Sequence, residues 1–255
     1  MSAASSILAD AAPQSEPGAV APFILSGESL VGGYGAADIL HGCSIGVAPG
    51  EIVVIVGPNG AGKSTAMKAL FGMVTLRQGR VLLDGRDITA VSPQDRVALG
   101  MGFVPQTHNI FPSMSVEENL EMGAFLRRDD LRETIEQVFT LFPVLRQKRR
   151  QAAGELSGGQ RQQVAVGRAL MMKPRVLLLD EPTAGVSPIV MDELFDRVID
   201  IARTGISILM VEQNARQALE IADRGYVLVQ GSNRFSDTGA ALLAQPEVRR
   251  SFLGG

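Results

Sequence analysis

The 255-residue sequence has no tryptophan, only two tyrosines and a single cysteine. The lone Cys43 excludes an internal disulfide and fits a reducing compartment. It reads as a small buried residue at a strand edge. No run approaches 18 consecutive apolar residues, so no transmembrane helix is expected. The net charge of −3 lacks the basic excess that generic nucleic-acid binding requires. No internal repeat is visible. The first twenty-odd residues are rich in Ala, Ser, Pro and Gly and carry no Lys or Arg near the start. They lack a signal peptide's basic region, and residues 1–22 read as a disordered tail. The chain as a whole is ordinary for a globular protein: 45% hydrophobic and 20% charged, long enough for one large domain or a core with a subdomain.

The most informative stretch present is Gly57-Pro58-Asn59-Gly60-Ala61-Gly62-Lys63-Ser64-Thr65, which fits G-x-x-x-x-G-K-[S/T] throughout. The β-branched run Glu51–Val56 before it reads as a buried strand. Good helix formers follow it from Thr65 to Leu70. A strand before and a helix after make this a phosphate-binding P-loop. Glycines let backbone N–H groups turn inward around an anion, and the helix N-terminus adds partial positive charge. Lys63 reaches β- and γ-phosphates, and the Ser64 hydroxyl suits Mg²⁺.

Upstream, Phe23 to Val47 reads as strands joined by turns, with Gly32-Gly33 as a break. Tyr34 either stacks on an adenine or is a half-buried strand tyrosine; its position alone does not decide. Downstream, Gly79–Gly85 reads as a strand entering an Asp-Gly turn, and Met101–Pro105 as another strand. Gln106 follows in a loop, where an amide ligates Mg²⁺ or orients water. Ser115 and Glu118 form a capping box. Leu131, Ile135, Val138, Phe139 and Phe142 recur on one helical face. About forty residues here read as helix, a helical insertion in an α/β core. The basic run Arg146–Arg150 reads as a solvated helix end.

Leu156-Ser157-Gly158-Gly159-Gln160 opens the next helix, with Ser157 as N-cap. It is a helix start alone or a second anion site of Ser157 and backbone amides. Arg175 to Glu181 is an apolar run ending in two acids, placed where α/β folds bind ligands. Asp180 suits Mg²⁺ and Glu181 suits polarising an attacking water. A turn leads to a helix with Ser187 as N-cap and Pro188 at N1. Ile206–Val211 is a further strand ending in Glu212-Gln213-Asn214. A helix with Ala215, Ala218, Leu219 and Ala222 on one face follows. Tyr226–Val229 reads as the last strand, before a short helical tail.

The P-loop, Gln106, Leu-Ser-Gly-Gly-Gln and Leu-Leu-Leu-Asp-Glu occur in that order, and together they resemble the ATP-binding subunits of ABC transporters. Thr183–Pro188, Val211–Ala215, Ala222–Leu228 and the Phe252–Gly255 ending look like the branched-chain amino acid transporter ATPases, the shorter of the two paired subunits. Relatives of that type also serve urea and other amides. The resemblance covers about Phe23 to Gly255. It implies a P-loop NTPase (ABC ATPase) α/β core, an antiparallel β portion near the N-terminus and a helical subdomain at about residues 107–156.

It also implies roles. Tyr34 would stack adenine, and Gly57 to Thr65 would hold phosphates with Lys63. Ser64, Gln106 and Asp180 would serve Mg²⁺, and Glu181 would be general base. Ser157, Gly158, Gly159 and Gln160 would contact the γ-phosphate of ATP bound to a facing ATPase subunit, the same chain or a paralogue. Gln213 stands where most such ATPases carry histidine, and it hydrogen-bonds phosphate and water without titrating near neutrality. Ser187 stands where aspartate is usual. The expected function is ATP hydrolysis driving solute import at the cytoplasmic face of the cell membrane. Membrane-spanning permease subunits would be partners, with a solute-binding protein acting indirectly. A soluble ATPase acting on nucleic acid or the ribosome would show coiled-coil inserts, zinc sites or two cassettes, and none is present.

Overall fold

The computed structural model describes residues Phe23–Phe252; the expected N-terminal tail, residues 1–22, lies outside them. In chain order come β1 (Leu25–Tyr34), β2 (Ala37–Val47), β3 (Ile52–Val56), α1 (Lys63–Leu70), β4 (Thr75–Leu83) and β5 (Arg86–Asp87). Then follow α2 (Pro93–Ala98), β6 (Met101–Val104), α3 (Val116–Gly123), α4 (Arg132–Leu141) and α5 (Pro143–Gln147). The second half holds α6 (Gly158–Leu170), β7 (Val176–Asp180), α7 (Pro188–Arg203), β8 (Ser207–Val211) and α8 (Ala215–Glu220). It closes with β9 (Arg224–Val229), β10 (Ser232–Asp237), α9 (Gly239–Ala244) and α10 (Pro246–Phe252).

Two sheets form. One is antiparallel, in the order β2-β1-β4-β5; the other runs β10-β9-β3-β8-β7-β6. In the second, β9, β3, β8, β7 and β6 are mutually parallel and only β10 is antiparallel. The central strands β3, β7 and β8 are buried at every position. Alternate side chains explain why. Val54, Leu177, Leu179, Ile208 and Met210 enter a core shared with the helices. Val53, Ile55, Leu178, Leu209 and Val211 enter a second core shared with α1 and the antiparallel sheet. A strand covered on both faces has no polar side, so it reads as a continuous apolar run. The carboxyl ends of β3, β7 and β8 therefore emerge side by side, leading respectively into the P-loop, Glu181 and Gln213.

Three expectations need correction. Gly32-Gly33 is inside β1, and the chain reverses at Gly35-Ala36. A Cβ on Gly32 would lie 2.3 Å from the Thr75 carbonyl oxygen, and one on Gly33 2.2 Å from that of Ala37. These glycines permit close strand approach at register shifts rather than a turn. Tyr226–Val229 is not the last strand, because β10 follows. That strand is polar and largely exposed at a sheet edge, so it carries no apolar signal. Between Thr107 and Leu156, α3, α4 and α5 span eight, ten and five residues, less helix than periodicity suggests. Loops and Pro143 divide them. Ser187 does occupy the N-cap of α7, with Pro188 after it, as expected; its extended backbone serves there without a side-chain cap bond.

Other local expectations match. Ser115 and Glu118 form a reciprocal capping box. Asp84-Gly85 joins β4 to β5 with φ of 50° and 76°, the left-handed pair of a tight hairpin turn. Cys43 is fully buried in the edge strand β2, and burial pushes its thiol up to about 12. The basic run is solvated but paired: Arg149 bonds both carboxylate oxygens of Glu117, and Arg146 meets Glu136.

Candidate functional site

The P-loop wraps from β3 into α1. Gly57, Gly60 and Gly62 all have positive φ, at 146°, 78° and 92°. A Cβ on Gly57 would lie 2.2 Å from the Leu228 carbonyl oxygen, so the first residue of the motif admits no side chain. A cavity of about 330 Å³ opens above the loop, lined by Asn59 to Thr65, Ile39 and Glu181. Lys63 is 5% exposed, and its ammonium donates to the carbonyls of Gly57 and Pro58 at 3.0 and 3.2 Å. Burial lowers its pKa, while the carboxylates of Glu181, Asp180 and Glu212 oppose that shift.

Asp180, at the end of β7, accepts from the Ser64 hydroxyl at 2.7 Å. These are two hard oxygen donors side by side. They fit a small divalent cation whose other ligands are water and phosphate oxygens. Among the described residues no group of three or more His, Cys, Asp or Glu gathers as a self-sufficient metal site.

Glu181 is buried yet has φ of 50°, an unfavourable backbone for a non-glycine residue. Its N–H donates to the Val211 carbonyl at 2.9 Å. Its Oε2 accepts from Gln106 Nε2 at 2.6 Å and from Gln213 Nε2 at 2.7 Å. Two neutral amides thus hold one carboxylate oxygen at the cavity wall. Gln106 turns towards Glu181, not towards the Ser64–Asp180 pair.

Two groups stand apart from this cluster. Tyr34 sits at the end of β1 beside the hairpin turn, 48% exposed, and does not line the cavity. Ser157 caps α6, and Gln160 completes the box by accepting from the Ser157 N–H. At this start of α6 Ser157 and Gly158 are exposed and Gly159 is buried, and none of them lines the cavity either. A Cβ on Gly159 would lie 2.2 Å from the Val190 side chain, so that glycine admits α7 closely.

Sequence reasoning missed three contributors. Ile39 lines the cavity from β2; an isolated aliphatic residue in a strand gives no functional signal. Gly231, in the turn between β9 and β10, donates to the P-loop Ala61 carbonyl at 2.9 Å and accepts from the His41 N–H at 2.9 Å. Glu212 is 1% exposed and bonds Thr183. Burial pushes its carboxyl above the usual glutamate range, and the donors around it pull the other way. An acid directly after an apolar strand was the only signal for it.

A glycine loop between a parallel strand and a helix, with an acid-tipped strand alongside, defines a P-loop nucleoside triphosphatase. The ABC transporter family model matches residues 40–184. The chain is 43% identical over 223 residues to a high-affinity branched-chain amino acid transport ATP-binding protein, BraG, of Pseudomonas aeruginosa, covering 87% of this chain and 96% of that protein. It is 40% identical over 227 residues to a probable branched-chain amino acid transport ATP-binding protein, LivF, of Archaeoglobus fulgidus, covering 88% and 96%. A crystal structure of an ABC transporter ATP-binding cassette in its ADP conformation superposes with a TM-score of 0.80 at 31% identity, covering 91% of this chain and 99% of that one. The chain belongs to the ABC transporter family, as an ATP-hydrolysing cassette. Similarity to transport subunits does not favour the nucleic-acid or ribosome alternative.

Proposed function

We propose that this chain powers uptake of branched-chain or related amino acids, hydrolysing Mg²⁺-ATP at the cytoplasmic face of the cell membrane. The observation that carries hydrolysis is the convergence on one cavity: Lys63 in its floor and Glu181 in its wall, with Gln106 and Gln213 on the same Glu181 oxygen. The solute class rests on the relatives named for branched-chain amino acid transport.

The P-loop amides from Gly57 to Thr65 and the Lys63 ammonium hold the phosphates. Ser64 and Asp180 would hold Mg²⁺, with Gln106 as a further oxygen donor, and the ion would supply charge neutralisation at the phosphates. Glu181 takes the proton of the attacking water as Gln213 orients it. Tyr34 stacks the adenine. Ser157 to Gln160, at the start of α6 where Ser157 and Gly158 are exposed, reach the γ-phosphate held by a second ATPase subunit.

Membrane permease subunits are the other partners. An apolar groove of about 290 Å³ runs between β6, α3 and α6, and Met73, Met122 and Phe125 stand about half exposed along it. Such a patch suits a protein partner, and Pro105 in its lining precedes Gln106 directly.

The test is a mild-detergent pull-down of the tagged chain from native membranes. Polytopic membrane proteins and a second ATPase in the eluate support the reading. Recovery only with soluble ribosomal or nucleic-acid partners overturns it.

A further inference from the structure

Three acidic side chains are buried among the described residues: Asp180, Glu181 and Glu212. The function proposed above uses the first two and leaves Glu212 without a task. No Lys, Arg or His of the described residues lies within ion-pair distance of it. Burying a carboxylate without a counter-charge is expensive unless several donors face it.

The donors are specific. The Thr183 N–H donates to Glu212 Oε1 at 3.0 Å, and the Gln213 N–H donates to Oε2 at 3.1 Å. The Thr183 hydroxyl lies 2.9 Å from both oxygens and itself accepts from Asn214 Nδ2 at 3.2 Å. Glu212 therefore ties together two loops, the one after β7 and the one after β8. The first loop carries Glu181, two residues before Thr183. The second carries Gln213, the residue after Glu212. The ring closes where Gln213 Nε2 meets Glu181 Oε2 at 2.7 Å. Glu181 also sits at φ 50°, a conformation that persists only where surroundings over-determine it.

We infer that Glu212 is a positioning residue for ATP hydrolysis, whose carboxylate clamps the Thr183 and Gln213 backbones so that Glu181 and Gln213 face the attacking water as a preset pair. It acts through those two side chains, and so rests on the roles proposed for them. The clamp needs an acceptor at each end. An amide in place of the carboxylate sets its NH₂ against one of two backbone N–H groups, donor against donor, at unchanged volume. Glu212→Gln is thus a sharp lesion.

The experiment is steady-state ATP hydrolysis by the full-length chain, with ATP binding titrated separately. Glu212→Gln lowers kcat about 10- to 100-fold, the range a small misplacement of catalytic groups produces. The ATP dissociation constant stays within about twofold of the original. Adding Gln213→Ala to Glu212→Gln costs little beyond the larger single loss, since both break one unit. An unchanged kcat, a matching loss of ATP affinity, or fully additive losses would each overturn the inference. If thermal melting shows that Glu212→Gln does not fold, Thr183→Val removes the hydroxyl alone. It must then lower kcat without weakening ATP binding, and Thr183→Ser must recover the loss. Glu181→Gln separates the two levels. If it turns over normally, the roles proposed for the site fail; if it is inactive while Glu212→Gln is normal, only the clamp fails.

Discussion

Gln213 Nε2 lies 2.7 Å from Glu181 Oε2, joining two side chains 32 residues apart. Gln106 donates to the same oxygen. An oxygen accepting two amide protons is oriented without being neutralised, because neither amide carries charge. Two amides therefore fix the direction of the Glu181 carboxylate beside Lys63 without adding a charge to the site.

Glu181→Gln tests that base. Turnover is expected to fall about 10²- to 10⁴-fold while ATP binding persists, because the amide keeps the shape and loses the proton acceptor. A phosphate-release assay beside a nucleotide titration separates the two effects. Full turnover would remove Glu181 from the chemistry.

Gly231→Ala probes the brace behind the P-loop. Gly231 has φ of 74°, and a Cβ there would lie 1.9 Å from the Ile39 carbonyl oxygen. The turn must move, and its bond to Ala61 goes with it. Stability should fall by about 1–3 kcal/mol, with ATP affinity falling too. Calorimetric melting and a nucleotide titration report both; an unaltered melt would show that the turn yields freely.

Asn119→Ala tests the loop before α3. The Asn119 side chain is fully buried, accepts from the Phe111 N–H, and donates to the carbonyls of Phe111, Met114 and Ser115. Its removal orphans several backbone groups, at about 2–4 kcal/mol. Denaturant unfolding measures this, and a loss under 1 kcal/mol would mean that water replaces the amide readily.

Cys43 predicts an alkaline weakness. Its thiol titrates near 9 when solvated and near 12 in the fold. Between those values the unfolded chain loses a proton that the folded chain keeps, so stability falls as pH rises through the window. The slope is at most about 1.4 kcal/mol per pH unit. Urea midpoints at pH 8 and 10.5 should drop further for the native chain than for Cys43→Ala. Equal drops would rule Cys43 out as the cause.

Much of the architecture is legible locally. β3, β7 and β8 show as apolar runs because both their faces are covered, and Ser115 with Glu118 announces a helix start through contacts three residues apart. The polar edge strand β10 carries no such pattern, and α2, though Ser92 caps it with Pro93 at N1, is too short to show an apolar face. The in-strand Gly32-Gly33 imitates a turn, since glycine serves close approach as readily as reversal.

Sequence alone determined the P-loop, the acid-tipped strand and the Leu-Ser-Gly-Gly-Gln helix start, because each depends on residues within one strand–turn or turn–helix unit. Only the tertiary structure decided that Gln106 and Gln213 share one oxygen of Glu181, that Glu212 grips Thr183, and that Gly231 props the P-loop. Those contacts link residues from 29 to 170 positions apart. They exist because the parallel order β9-β3-β8-β7-β6 sets five carboxyl ends side by side, and strand order arises from the packing of the whole sheet between its two cores.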